Sequence, residues 1–145
     1  MAFTGNFTTN TFKVGLMDGT FNFNTGTTDV YKIALYTNAA TLDATTASYT
    51  ATGEVVATGY TAGGETLTVA QIPTVGVTGT TAYLSFSNVS WTGAITARGA
   101  LIYKADGATN PTVCVLDFGA DKASSTTFTV QFPAPTNTSA IIRIS

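Results

Sequence analysis

The sequence predicts an all-β protein: an antiparallel β-sandwich of about eight strands with one short N-terminal helix. Three observations predict it. Thr, Val, Ile and the aromatic residues fill 65 of 145 positions, against 19 for Leu, Met, Gln, Glu, Lys and Arg. Branched and aromatic side chains fit a half-buried pleated surface better than a helix. Short apolar runs also recur near every ten residues, divided by Gly, Asn, Asp and Pro, which is the rhythm of sandwiches and small barrels. Finally, 145 residues is about one domain of chain, and no repeat, linker or composition shift divides it. Residues 1–145 therefore read as a single β domain, with 1–9 as a candidate extended arm.

Asn10 to Gly19 carries the helix. Asn10 or Thr11 is the expected N-cap; Phe12, Leu16 and Met17 recur at helical spacing, and Gly19 supplies a left-handed stop. Gly15 weakens that helix by about 1 kcal/mol relative to Ala. Residues 30–36, VYKIALY, follow as a strand with Tyr31, Ile33 and Leu35 on one face. Residues 38–51 are a long connection with at most one helical turn. A short strand is expected at Gly53–Ala57, then the turn GYTAGG, then a strand over 65–72 with Leu67 and Val69 inward.

Over 81–91, Ala82, Leu84 and Phe86 occupy even positions but Val89 and Trp91 odd ones. A slip of one in a period of two predicts a bulge or break near Ser87–Asn88. Residues 94–104 place Ile95, Ala97, Gly99, Leu101 and Tyr103 on one face and Thr96, Arg98 and Lys104 on a half-solvated other face. Asp106-Gly107 pivots the next turn. TVCVLDF, 112–118, is apolar on both faces and reads as a covered central strand; GADKASS reads as a polar turn. TFTVQF and AIIRIS complete the set, separated by the proline-bounded loop PAPTNT.

Composition also bounds function. Six bases and eight acids, scattered singly, give a net charge of −2, which argues against nucleic acid as a partner, since phosphate binding needs clustered cations. No apolar run approaches the ~18 residues of a membrane span, and MAFTGNFTTN lacks the basic start and apolar core of a secretory signal. No membrane partner is therefore expected. One cysteine, Cys114, cannot form an internal disulfide, and with no histidine to activate it it reads as a small buried hydrophobe. The missing histidine also removes every His-based triad and His metal site. Asp106, Asp117 and Asp121 are candidates for a hard cation, but Asp106 and Asp121 fall in turns at opposite ends of the intervening strand. Glu54 and Glu65 flank a turn and are a very weak candidate pair for glycoside hydrolysis. No catalytic, cofactor or metal residue is assigned.

An irregular N-terminal arm and the connection 38–50 are long and lack a core pattern, and such segments often carry function. Phe3, Phe7, Phe21, Phe23, Leu42 and Tyr49 are accordingly the candidate interface residues. The phenylalanines either dock on a neighbouring subunit, where aromatics anchor interfaces, or fold back onto the chain's own core.

FKVGLMDGTFNF, then VYKIALYTNAATLDATTASYTATGEVVATGYTAGG, and later ARGALIYKAD with VLDFGADKASSTTFTVQFP resemble a family of small virion structural proteins of tailed bacteriophages. The resemblance spans roughly residues 10–145; KIALYT at 32–37, the stretch 54–64 and LDFG at 116–119 are its most particular parts. Residues 57–60 depart from it, reading ATGY in place of GTGY. It implies a non-enzymatic virion component, assembled in the bacterial host cytoplasm. The expected role is capsid decoration, or cement, bridging major capsid subunits as a homo-oligomer, with a trimer at a local threefold axis as the implied form. The alternatives are a tail, collar or fibre-attachment component, a carbohydrate-binding module using Tyr side chains and Trp91, and, last, a small hydrolase.

Overall fold

The β-branched runs pair, throughout, as antiparallel strands. A computed structural model describes residues 3–145. In chain order the elements are β1 (Phe7–Thr8), α1 (Asn10–Asp18), β2 (Tyr31–Tyr36), β3 (Glu65–Leu67), β4 (Val69–Val75) and β5 (Ala82–Phe86). Then come β6 (Val89–Thr92), β7 (Thr96–Lys104), β8 (Thr112–Ala123), β9 (Thr127–Val130) and β10 (Ile142–Ile144). They form a five-stranded sheet in the order β1-β8-β7-β2-β3, a three-stranded sheet β10-β5-β4 and a two-stranded sheet β6-β9. The fold is all-β and sandwich-like.

Why the layers stack follows from the side-chain alternation. Ile33, Leu35, Ala100, Ile102 and Leu116 leave one face of the large sheet and meet Leu84, Phe86, Trp91, Phe128, Val130 and Ile142 from the smaller sheets. Ala34, Tyr36, Leu101, Tyr103 and Val115 leave the other face and are covered by Phe3, Ala40 and Leu42. The large sheet is therefore covered on both faces at its centre. TVCVLDF is buried through Leu116, and on 94–104 Thr96 is exposed and Arg98 and Lys104 half-buried as expected, while Ala100 and Ile102 between them are covered.

Among the described residues ten strands form rather than about eight. The expected strand 65–72 divides at Thr68, sending β3 and β4 to different sheets. The expected break at Ser87–Asn88 is present, and β5 and β6 likewise part company there. Gly53–Ala57 holds no strand, only a Tyr36–Glu54 bridge, and 38–51 contains turns and a Ser48–Pro111 bridge with no helix. GADKA is strand, because Lys122 pairs with Ala97 and Ala123 with Thr96; the turn lies at 124–126.

That register continues past the turn. Thr92 pairs with Thr127 and Val89 with Val130, while Gly93 N–H donates to Thr126 O and Ser124 N–H to Ile95 O, each at 2.8 Å. β6–β7 and β8–β9 are thus one long hairpin that bends at 93–95 and 124–126 and passes from one layer to the other.

The helix is capped by Thr9, one residue before Asn10 and two before Thr11, the expected caps. Thr9 Oγ1 accepts the Phe12 N–H at 3.1 Å and donates to Thr112 O at 3.0 Å, so the cap also ties the helix to β8. Gly19, in the left-handed conformation, closes it as expected.

Candidate functional site

The expected interface residues divide in two. Phe3, Phe21, Phe23 and Leu42 are all buried in the chain's own core, which corrects their assignment to a contact surface. Phe21 packs edge-on to Phe12 at 5.3 Å, and Phe23 stacks on Tyr31 at 4.3 Å. Of the two remaining, Phe7 is half-buried and lines a cleft with Pro133 and Ile141. Tyr49 is also half-buried and stacks on Tyr103 at 4.8 Å. The described part of the N-terminal arm is no free tether: Phe3 lies in the second core, and β1 pairs with Val115 and Cys114.

What holds the aromatic segment 20–29 in place is a network around Lys104. Its ammonium lies 2.9 Å from Asp29 Oδ1 and donates to Thr20 O at 2.7 Å, while Asp29 Oδ2 accepts the Asn22 N–H at 2.9 Å. Burial alone would raise the Asp29 carboxyl. Lys104, the Asn22 amide and the Tyr31 hydroxyl outweigh it and hold the group below the usual carboxylate range.

The most elaborate polar cluster surrounds Glu54. The carboxylate is buried and accepts from Tyr49 OH at 2.6 Å, Tyr60 OH at 2.6 Å and the Gly63 N–H at 2.7 Å. Tyr103 OH donates to Gly63 O, Leu35 N–H to the Tyr60 oxygen, and Tyr36 OH to Thr50 O. Burial, and then the hydrogen bond to Glu54, push the Tyr60 and Tyr49 phenols upward. Both carboxylate oxygens of Glu54 accept hydrogen bonds, so the cluster clamps the 49–64 loop onto the sheet. Glu65, its proposed partner for hydrolysis, is exposed on β3.

Of the three candidate aspartates, two are similarly occupied, and Asp121 is exposed on β8. Asp106 Oδ1 accepts from the amides of Ala108, Thr109 and Asn110, and these hold its carboxyl down at about 2. Asp117 pairs with Arg98 at 3.1 Å. Among the described residues no group of three or more His, Cys, Asp or Glu is placed to hold a metal ion, and no helix is long and apolar enough to cross a membrane. Burial pushes the Cys114 thiol up to about 12, the reverse of an activated nucleophile.

The surface offers a different feature. α1 buries Phe12 and Gly15, and the face that sequence spacing turned inward instead leaves Leu16 and Met17 exposed, Met17 at 82%. Leu16 forms one wall of a groove of about 170 Å³ whose other walls are Pro73, Tyr83 and Ile144, over a floor that includes Phe21, Phe23 and Leu84. Val75 and Val77 extend the exposed apolar residues beside Pro73 along the chain. Sequence reasoning missed this groove because Leu16 matched a helical core pattern. Gly15 was the available signal: a glycine inside a helix often marks close packing, which puts the buried face one position earlier.

No protein-family profile, no curated protein and no solved structure matches the chain.

Proposed function

We propose that this chain is a non-enzymatic structural component of a tailed-bacteriophage particle, a capsid decoration protein that binds across neighbouring major capsid subunits. The observation that carries the reading is the exposed apolar groove of Leu16, Pro73, Tyr83 and Ile144 on a surface with few charges. Contiguous exposed apolar surface marks protein contact, and a contact with few ions to desolvate is cheap to close. The sequence resemblance is the ground for the particle; the partnered carboxylates of Glu54, Asp106 and Asp117 and the buried thiol favour the non-enzymatic part.

The carbohydrate-binding alternative is disfavoured. Trp91 is 2% exposed, and every aromatic residue among the described ones is buried or half-buried, which disfavours a flat stacking platform for a sugar.

The test is reconstitution. Purified chain is added to particles lacking it, and bound protein is measured. Leu16→Asp and Ile144→Asp each place a charge in the groove and are expected to weaken binding about ten-fold or more, the scale of burying an unpaired charge, while leaving the melting temperature within a few degrees. Unchanged binding by both variants contradicts the groove as the contact. A wild-type chain that binds only in the few copies of a tail or collar ring would replace decoration by the tail reading.

A further inference from the structure

We infer that the outer edge of the β8–β9 strand pairs with the same edge of a second copy of this chain, antiparallel and about a twofold axis. The inference is independent of the particle role. It begins from the long hairpin. Across the bend the chain from Lys122 to Val130 is paired on one side only, with residues of β6 and β7. Gly93 N–H to Thr126 O and Ser124 N–H to Ile95 O turn the even-numbered residues inward, so ladder alternation turns the amides of Ser125, Thr127 and Thr129 outward. β1 covers β8 only at Cys114 and Val115, and Asn6 adds one bond, to the Asp117 N–H. A shallow groove of about 400 Å³ runs along this edge, lined by residues between Phe118 and Gln131 alone.

The other edges are guarded, as natural sheets require. β1, β3 and β10 have three residues or fewer. β4 carries Pro73 and two register shifts. The free side of β6 is shielded by the 58–59 loop, which comes so close that a Cβ on Gly59 would lie 1.8 Å from Thr92 O. The β8–β9 edge has none of these devices from Ala123 to Gln131: no proline, no charge and no glycine.

That composition also selects the partner. In an antiparallel pairing centred on Thr127 or Thr129, each of these residues faces itself or another uncharged polar residue, so a second copy brings no like charges together. Thr opposite Thr is a favourable cross-strand pair. The symmetry is isologous, which closes after two subunits, so this contact makes dimers and not the threefold trimer that the resemblance implies.

Sedimentation equilibrium at micromolar concentration tests it, with circular dichroism as the fold control. Wild type is expected to be dimeric. Thr127→Lys sets two ammonium groups across the axis and is expected to weaken self-association by about ten-fold or more. Thr129→Pro removes an outward amide and no internal ladder bond, so it should do the same with the β spectrum retained. A monomeric or trimeric wild type overturns the inference, and so does a dimer that both folded variants leave intact.

Discussion

Gly15 sits where the Phe21 ring crosses the helix, and a Cβ built there would lie 2.3 Å from Phe21 Cε2. Two opposed effects can be weighed: Ala gains about 1 kcal/mol of helix propensity, whereas overpacking a tight core costs about 1–3 kcal/mol. Gly15→Ala is therefore expected to lower the urea midpoint, against the propensity rule; a rise would show that Phe21 moves aside freely. Lys104 offers a second residue-scale prediction. Lys104→Met leaves Asp29 with its amide and hydroxyl donors but no cation, and is expected to cost about 1–3 kcal/mol at neutral pH. Because Asp29 is depressed in the folded state, its contribution is present above the unfolded value near 3.9 and fades as pH falls through the lower folded one. The variant should accordingly lose less stability than wild type on acidification below about pH 4, measured as urea midpoints across pH. Cys114 has the opposite sign. Its raised pKa contributes below the unfolded value of about 8.5 and is lost as pH climbs toward about 12. The native thiol should resist a disulfide reagent that reacts at once after denaturation; equal rates would contradict its burial.

Among the elements, the N-terminal segment changed most between sequence and structure. Its Phe and Thr residues carry no strand or helix period, so sequence alone could not tell a docking arm from a cover for the core. The structure makes it a cover: Phe3 closes the second cluster and Thr9 caps α1 while bonding to Thr112. Phe3→Ala is expected to cost about 3–5 kcal/mol and Thr9→Ala about 1–2 kcal/mol in chemical denaturation. A near-neutral Phe3→Ala would return the segment to the surface. Strand existence was legible wherever alternation or a continuous apolar run was clear, as in β2, β7 and the break between β5 and β6. Strand extent was not, since GADKA has turn composition and becomes strand only through its pairing with Thr96 and Ala97. The groove was illegible for a related reason. Leu16, the paired strands carrying Pro73 and Tyr83, and Ile144 come from three distant segments, and only the tertiary fold brings them together.

At the scale of the whole molecule, charge-poor composition and buried chemistry point the same way. The carboxylates of Glu54, Asp29, Asp106 and Asp117 stabilise loops and strands, which leaves an apolar groove and a bare strand edge. Both are the features on which the proposed protein contacts rest. They lie on different segments of the chain, so one molecule can join its own copy through β8–β9 while presenting the groove of Leu16 and Ile144 to another surface. The most direct check of the central claim is to image intact phage particles and count this chain in the density. The account predicts on the order of hundreds of copies in a symmetric array over the shell, each with the groove turned toward capsid protein. Particles that contain none, or an array in which the groove faces solvent, would contradict it.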